Sequence, residues 1–257
     1  ARYLALKETL GRRYAAERAV LTLLDGFCAV RQEDLGPESF AQWCRSQEYL
    51  TSGVRRFRMR TVRNLCLYRR RTEPTCFVPD VALFPPLHQA VQPHIFRAAE
   101  IGRLLDATHA LEAAPCSPLR GETLRLALVL FYTTGLRRGE LLRLLVGDYD
   151  AQAHTLLIRE SKFHKSRLLP LSPDGVHEME AYLQSRRLRR LPLSPDMPLL
   201  GSPYLGGKAY TAPGLQAGIT LLLTAACIRT AAGRLPRIHD FRHTFAVHAL
   251  MRWYREG

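Results

Sequence analysis

Histidine and arginine are grouped near the end of the chain, in the stretch HDFRH from His239 to His243. The two histidines lie four residues apart, so on a helix they would share a face, as zinc ligands often do. His239 and Arg242 lie three residues apart and could instead bind an anion together, because a guanidinium donates paired hydrogen bonds to phosphate oxygens. A third alternative is a capped helix start with His243 buried against the core. The spacing therefore allows a metal site, an anion site or a structural helix end.

The residues around the two histidines disfavour zinc. Position 240 is aspartate rather than the glutamate of an H-E-x-x-H zinc site, and Arg242 would place a fixed cation beside the metal. The six cysteines are scattered without a C-x-x-C pair, so no finger-type or ribbon-type zinc site is encoded. Buried free thiols in a reducing cytoplasm are the expected state of these cysteines. We predict no metal site.

A second candidate lies in TTGLRRGELLRL, where Arg137 follows a glycine turn at the start of a predicted helix. Helix N-termini favour anions, and the arginine fork fits phosphate oxygens in bidentate fashion. Glu140 lies about one helical turn further on and could orient the guanidinium. The alternative is an arginine on a solvated helix end, and this stretch alone does not separate the two.

A third candidate is a pair of lysines in ESKFHKSRLLPL. TLLIRE and RLLPLS are short strand-like runs, which predicts a β-hairpin with Lys162 and Lys165 near its tip. Either lysine could be a surface residue, but the chain contains 33 arginines and only 4 lysines. An ammonium group can act as a general acid because it can lose its proton, which a guanidinium cannot do. One lysine is therefore a candidate catalytic group, and the spacing does not choose between them.

The overall charge points to a polyanionic partner. The 257 residues have a formal net charge of +14, which nucleic acid explains most simply, with a genome-driven arginine bias as the alternative. The sequence lacks a P-loop, a dinucleotide fingerprint, a G-x-S-x-G elbow and the grouped carboxylates of a two-metal nuclease. No apolar run reaches the roughly 18 residues of a membrane span. We expect a cytoplasmic, nucleoid-associated protein without membrane contact.

Residues 1–75 are predicted to form a helical DNA-binding domain. One helix should bury an apolar face consisting of Val20, Leu23, Leu24 and Phe27. A later helix contains eight arginines from Arg55 to Arg71 and no acid, with Met59, Val62 and Cys66 on its apolar face. Its other face is cationic throughout, which suits a phosphate backbone, whereas a merely solvated face normally mixes charge signs. The candidate DNA contacts are Arg55, Arg56, Arg60 and Arg63, together with Lys165 of the hairpin.

A proline-rich segment separates this domain from the rest. Five prolines and few charges lie between positions 73 and 94, so we place a semi-rigid linker at residues 76–94. Residues 95–257 alternate helical patterns, including the strongly apolar GETLRLALVLFYTTG, with the one predicted hairpin. The expected fold is mainly α, with a helical domain followed by a mixed α/β domain that is mostly helical with a small antiparallel sheet.

Taken in order, these motifs resemble those of the tyrosine recombinases, also called the phage-integrase family. TTGLRRGELLRL resembles the segment around the family's first catalytic arginine, which maps to Arg137, with Glu140 in its supporting place. ESKFHKSRLLPL is similar to the family's hairpin, whose catalytic lysine is the one nearest the first strand. The resemblance therefore selects Lys162 rather than Lys165.

HDFRHTF is similar to the family's H-x-x-R-[HK] box, which makes His239 and Arg242 catalytic and His243 supporting. The resemblance covers residues 95–257, and the helical, arginine-rich first part fits the family's core-binding domain in general character. It implies DNA strand cleavage and rejoining through a 3′-phosphotyrosyl intermediate, with no metal or other cofactor. It also implies double-stranded DNA as the partner and self-association into a multimer on that DNA.

The tyrosine nucleophile is the point at which the sequence departs from the family. The family's tyrosine lies well beyond the box, whereas this sequence ends fifteen residues after Arg242. Tyr254 follows Arg242 by only twelve residues and would lie on the same helix, so we expect it to be structural. The catalytic domain is then truncated at its C-terminus and would not cleave DNA as it stands. The alternatives are an inactive DNA-binding accessory protein derived from a recombinase and a type IB topoisomerase.

Overall fold

The computed structural model describes residues 2–12, 14–86, 92–113, 117–159, 166–201 and 207–256. The chain divides into two compact units, Ala1–Val91 and Gln92–Gly257. Helices predominate in both units, and the described strands form a small antiparallel sheet in the second. The prediction of a mainly α fold with a small antiparallel sheet is confirmed. Within the described residues, no helix is both long enough and apolar enough to cross a bilayer.

The described part of the first unit is helical around one apolar cluster. Its elements are α1 (Arg2–Thr9), α2 (Ala15–Arg31), α3 (Pro37–Arg45) and α4 (Ser52–Arg69), followed by a 3-10 turn at Val81–Leu83. The predicted apolar face of α4 is confirmed, because Met59, Val62 and Cys66 are all buried. They pack in one cluster with apolar residues of α2 and α3.

The prediction for α2 is wrong at one position. Leu23 is 54% exposed, whereas Val20 and Leu24 are buried as expected and Leu21 is buried as well. Each residue advances about 100° around a helix. A rotation of α2 that buries Leu21 beside Val20 and Leu24 therefore turns Leu23 towards solvent.

Much of the predicted linker is part of the first unit. Phe77 and Val78 pack against the core of that unit, and Phe84 is buried in it. The boundary between the two units falls after Val91, within the segment of residues 76–94 that was predicted as the linker. Proline lacks the N–H group that regular structure needs, but the apolar residues between the prolines still gain by burial. The segment is therefore irregular in backbone and nevertheless packed.

The described part of the second unit contains six α-helices, three strands and a 3-10 turn at Val146–Asp148. The helices and strands are α5 (Ala98–His109), α6 (Arg120–Thr134), α7 (Arg138–Leu141), β1 (Tyr149–Asp150), β2 (Thr155–Ile158), β3 (Arg167–Pro170), α8 (Pro173–Leu188), α9 (Ala212–Ala225) and α10 (Ile238–Glu256). The sheet order is β1-β2-β3, and both neighbouring pairs are antiparallel. The predicted hairpin therefore exists, with Ile158 paired to Arg167 at the end nearest its tip.

Helix α6 forms the centre of this unit. It is strongly apolar from Leu126 to Phe131, as a helix surrounded by other elements must be, and it packs against α5, α8, α9 and α10. Phe131 of α6 and Phe96 both stack on Phe241 of α10, with ring centroids 6.2 and 4.2 Å away. The N–H of Phe96 donates to the buried Thr244 Oγ1 at 3.0 Å. These contacts fix both the position and the rotation of α10 against the core.

Candidate active site

The turn after α6 brings two distant parts of the chain together. Gly135 ends α6 with a φ of 62°, a left-handed conformation that favours glycine. A Cβ atom at this position would lie 2.5 Å from Cδ1 of Phe245 on α10, so the space as well as the backbone requires glycine. The Gly135 carbonyl accepts a hydrogen bond from Nη1 of Arg242, also on α10. Arg242 is thereby bound to the turn at Gly135, which precedes Arg137 by two residues.

Arg137 lies immediately before α7 and is held by the acid predicted to orient it. Its backbone N–H donates to Oε2 of Glu140 at 3.0 Å, and its Nη1 donates to Oε1 at 2.9 Å. The Glu140 side chain is only 2% exposed, whereas that of Arg137 is 41% exposed. One buried carboxylate therefore accepts the backbone N–H at the start of the helix and also binds the guanidinium of Arg137. The remaining N–H groups of that guanidinium can face solvent or a ligand.

The same carboxylate binds a second arginine that the sequence analysis missed. Arg167, the first residue of β3, donates from Nη2 to Oε2 of Glu140 at 3.0 Å and from Nη1 to Oε1 at 3.3 Å. The signal that could have revealed it is strand alternation. Arg167 shares a strand face with Leu169, which packs on the core, while Leu168 between them is exposed. A cation on the inward face of a strand indicates a buried anionic partner.

Helix α10 begins with a similar device. Arg237, just before the helix, donates its backbone N–H to Oδ2 of Asp240 at 2.8 Å and its Nη2 to Oδ1 at 2.8 Å. Asp240 and Phe241 point into the core and are buried. His239 is consequently exposed and Arg242 half-buried on the outer side of the helix. The aspartate that argued against a zinc motif is thus the residue that sets the helix start.

The charges of the site favour an anion. Burial by itself would raise the pKa of Glu140, but hydrogen bonds from Arg167 and Arg137 outweigh it and lower that pKa to about 2. Burial, and then repulsion by Arg137, lowers the pKa of Arg242, yet a guanidinium remains charged at neutral pH. Three guanidiniums and one carboxylate leave a net charge of two positive units. Such a surplus is complementary to a phosphodiester that gains negative charge during reaction.

The rings of His239 and His243 pack against each other on α10. Their rings meet edge to face with centroids 4.8 Å apart. Burial, the adjacent His243 and the nearby Arg242 together lower the pKa of His239 from its usual 6.5. Its imidazole is therefore neutral at pH 7 and can accept or donate a hydrogen bond. In the part of the chain that the structure describes, no three His, Cys, Asp or Glu side chains are grouped as metal ligands.

Comparison with known sequences decides the family. Residues 94–252, more than half of the chain, match the phage integrase family. The chain belongs to this family of tyrosine recombinases. It is 32% identical over 201 residues to the putative integrase/recombinase y4rB of Sinorhizobium fredii, covering 77% of this chain and 63% of that protein. It is 33% identical over 175 residues to the tyrosine recombinase XerD of Brucella abortus, covering 67% and 55%. This phage-integrase chain thus spans between about half and two thirds of the length of these relatives.

Solved structures show the same fold at lower identity. The XerH site-specific recombinase bound to palindromic difH substrate superposes with a TM-score of 0.66 at 17% identity, covering 94% of this chain and 68% of that one. The lambda integrase bound to DNA superposes with a TM-score of 0.59 at 17% identity, covering 94% and 82%. The phage-integrase fold therefore extends beyond the residues that match in sequence.

Two of the predicted residues of this phage-integrase chain, Lys162 and Lys165, lie outside the described residues. The strands on both sides of them are described, and each is joined to a buried acid. Arg167 binds Glu140, as above, and Nε of Arg159 donates to Oδ1 of Asp148 at 2.5 Å. Two ion pairs therefore attach this hairpin to the preceding segment: Arg167 of β3 binds Glu140 in α7, and Arg159, just after β2, binds Asp148 immediately before β1.

The arginines of α4 divide into two groups. Arg56 donates from Nη1 to the carbonyl of Pro85 at 2.7 Å, and Arg63 donates from Nε to the carbonyl of Pro79 at 3.1 Å. These two predicted DNA contacts therefore also hold the proline-rich segment against the unit. Arg60 is exposed. Arg55 is half-buried, and its Nε is buried without a hydrogen-bond partner among the described residues.

Proposed function

We propose that the protein to which this chain belongs cleaves and rejoins double-stranded DNA at specific sites through a 3′-phosphotyrosyl intermediate. The observation that supports this best is the joining of Arg137 and Arg242 at the Gly135 turn, with Glu140 buried beneath. The two arginines are 105 residues apart in sequence, and a shared phosphate ligand accounts for bringing two like charges together. Membership in the phage integrase family supports this class of reaction.

The arginines would act on the non-bridging oxygens of the scissile phosphate. Arg137 and Arg242 hold these oxygens and offset the negative charge that grows as the tyrosine oxygen attacks phosphorus. The bond from phosphorus to the 5′ oxygen then breaks, and Lys162 gives that oxygen a proton. Reversal by a 5′-hydroxyl from a second strand restores the phosphodiester and frees the tyrosine. Two guanidiniums supply the electrostatic stabilisation, so the step needs no metal and no nucleotide.

His239 would accept the proton of the attacking tyrosine hydroxyl. Its lowered pKa leaves the imidazole neutral at pH 7, which is the form that can accept a proton. The exposed position of its side chain on α10, one turn from Arg242, allows it to reach a phosphate held there. His243 packs on its ring and would keep it oriented.

Tyr254 is not a suitable nucleophile for this phosphate. It lies on α10 twelve residues after Arg242, which places it about 18 Å further along the helix axis. That distance is longer than a tyrosine side chain. Tyr254 is 85% exposed, and its ring packs edge to face on that of Trp253 in the same helix. We therefore assign the nucleophile to another tyrosine of the full protein.

The first unit would hold DNA through its cationic helix. Helix α4 contains eight arginines from Arg55 to Arg71 within and just beyond its end, and Arg60 is exposed for phosphate contact. Recombination between two DNA sites requires several protomers, so the proposal includes a multimer on DNA. Cleavage on DNA places the protein at the nucleoid.

A suicide-substrate assay tests the proposal. The full gene product is incubated in EDTA with nicked duplexes that tile the genomic DNA around its gene, so that a freed 5′-hydroxyl fragment diffuses away. The expected result is a protein–DNA adduct that survives denaturation. Arg137→Ala and Arg242→Ala should each lower adduct formation by about 100-fold or more, while DNA affinity stays within about threefold.

The controls separate the alternatives. Arg138→Ala removes one exposed charge beside Arg137 and should leave the adduct yield within about threefold. Tyr254→Phe should leave the yield unchanged. DNA binding without any adduct would reject the proposed cleavage and favour an accessory protein. An adduct without exchange between two DNA molecules would favour a topoisomerase, and an adduct lost in EDTA would favour a metal enzyme.

A further inference from the structure

The contact between Glu140 and Arg167 is more than a surface ion pair. Both carboxylate oxygens are used twice: Oε1 accepts from Nη1 of Arg137 and Nη1 of Arg167, and Oε2 accepts from the Arg137 backbone and Nη2 of Arg167. The carboxylate is 2% exposed, and the Arg167 side chain 35% exposed. Bidentate pairing to a buried acid fixes orientation as well as distance.

Arg137 by itself has little to hold it. Its pair with Glu140 spans three residues at the start of a one-turn helix, and its side chain is 41% exposed. Such local pairs are weak and leave the side chain free to rotate. Rotation of the buried carboxylate about its terminal bonds would carry the guanidinium with it. A second guanidinium, bound to both oxygens of the carboxylate, removes that freedom.

We propose that Arg167 is a positioning residue of the site: by binding Glu140 in bidentate fashion from β3, it fixes the carboxylate and through it the guanidinium of Arg137. The proposal rests on the proposed function, in which Arg137 binds the scissile phosphate. Arg167 also joins the hairpin strand to the first arginine segment, 27 residues away in the chain. Strand β3 is thereby attached to the proposed phosphate site.

The other strand of the hairpin offers a matched comparison. Arg159 donates from Nε to Oδ1 of Asp148, whose side chain is as buried as that of Glu140. Asp148 likewise accepts a backbone N–H, that of Leu145, at 2.9 Å. This pair has the same chemistry and attaches the same hairpin, but Asp148 does not bind Arg137. Effects common to both pairs are therefore structural, and effects confined to Arg167 belong to the phosphate site.

The kinetic test is a double-mutant cycle on the full gene product, read by the single-turnover rate of adduct formation. Arg167→Met should lower that rate by about 10–100-fold with DNA affinity within about twofold. Arg167→Lys keeps the charge but loses the fork. The logarithm of its rate should therefore fall by at least half as much as that of Arg167→Met. In an Arg137→Ala background, Arg167→Met should add less than about threefold, because the two act through one group. In an Arg242→Ala background its full effect should remain.

A second measurement needs no cleavage. Relaxation of the ¹⁵N nucleus of Arg137 Nε, measured on the 257-residue chain, reports the order of that guanidinium. Arg167→Met should increase its mobility, and Arg159→Met should not. If the Met variant does not fold, Arg167→Lys gives the same comparison.

The outcomes separate this inference from the proposed function. Absence of adduct in the unmutated protein rejects the proposed function, and the relaxation data then still decide whether Arg167 orders Arg137. If the unmutated protein forms the adduct, and both Arg167 variants keep its rate and its Arg137 mobility, the positioning role alone is rejected. Full activity of Arg167→Lys with loss in Arg167→Met would also reject it, since charge rather than orientation would then suffice.

Discussion

Single buried carboxylates organise this molecule at the residue scale. Glu140 and Asp240 each accept the backbone N–H that precedes a helix and also bind the guanidinium of the same preceding residue. The first leads to the Arg137 site, and the second sets the start of the helix that contains His239. A buried charge is stable only when it is fully paired and hydrogen-bonded. Each acid is therefore a point where loss of one side chain affects both a helix start and an arginine.

Glu140→Gln should destabilise the second unit in a pH-dependent manner. The pKa of Glu140 is lowered from 4.5 to about 2 in the folded protein, so its ionised form stabilises the fold above about pH 4.5. That stabilisation is lost as the pH falls towards about 2. We expect the variant to lose about 3 kcal/mol of unfolding free energy at pH 7. In denaturant titrations the difference from the unmutated protein should shrink by pH 3.

Glu112→Gln is the control for this prediction, because Glu112 is exposed. Its free energy of unfolding should stay within about 0.5 kcal/mol of the unmutated value at both pH values. A difference for Glu140→Gln that is the same at pH 7 and pH 3 would contradict the assigned ionisation.

At the scale of elements, the turn between α6 and α7 joins the two arginine segments. Helix α6 is buried from Leu126 to Phe131 and fixes the position of Gly135, while Phe241 and Thr244 fix α10 against the same core. Close approach of Phe245 to the Gly135 backbone leaves no room for a side chain. The site therefore depends on how tightly α6 and α10 pack as much as on its charged residues.

Gly135→Ala should damage both stability and cleavage. The residue has a positive φ, and the added Cβ would overlap Phe245, so we expect a loss of about 2–4 kcal/mol in unfolding free energy. Because the Gly135 carbonyl binds Arg242, the adduct rate of the remaining folded protein should also fall, by about 10-fold or more.

Gly233→Ala provides the matched comparison. Gly233 has a φ of 72° but no atom within 4 Å of an added Cβ. It should lose only about 1 kcal/mol from backbone strain and keep its adduct rate. Equal losses in the two variants would show that the overlap with Phe245 has no effect.

At the scale of the whole molecule, two units and a strong positive charge suit a protein that holds a polyanion. The arginines that contribute to the net charge of +14 have different partners in the two units. In the second unit, Arg137 and Arg167 are bound to a buried acid. In the first unit α4 contains arginines and no acid, and only at its end does Arg69 pair with Asp34 and Glu73 of neighbouring segments, among the ion pairs of the described residues. The second unit is therefore suited to precise phosphate geometry and the first to sequence-independent attraction.

Arg60→Ala should weaken DNA binding without affecting chemistry. Arg60 is exposed on α4, so its loss should reduce the slope of log affinity against log salt by about one unit. Fluorescence anisotropy across a salt series measures this slope, and unfolding free energy should be unchanged. Arg45→Ala, an exposed charge on α3, should alter the slope less. Equal slopes for both variants would remove the special role of α4.

Arg56→Ala should behave differently from Arg60→Ala. Arg56 binds the carbonyl of Pro85, so its loss should also lower the unfolding free energy, by about 1 kcal/mol.

The sequence by itself determined what depends on neighbours in the chain. Helix periodicity predicted the buried face of α4, and two short strand-like runs separated by a polar segment predicted the β2–β3 hairpin. The ordered motifs around Arg137 and Arg242 predicted the family, because residue types and their spacing can be read from the sequence without knowing which residues are in contact. Local patterns are sufficient for such features since one helix or hairpin sets them.

Only the tertiary structure decided which distant groups meet. Three contacts join residues whose meeting cannot be predicted from their spacing in the chain. They are the hydrogen bond from Arg242 to Gly135, the ion pair between Arg167 and Glu140, and the packing of Phe84 in the core of the first unit. Leu23 was assigned to the wrong face because a helix's rotation is settled by its partners, not by its own sequence. The physical reason is common to all four: burial and pairing free energy depend on three-dimensional proximity, which packing of the whole unit creates.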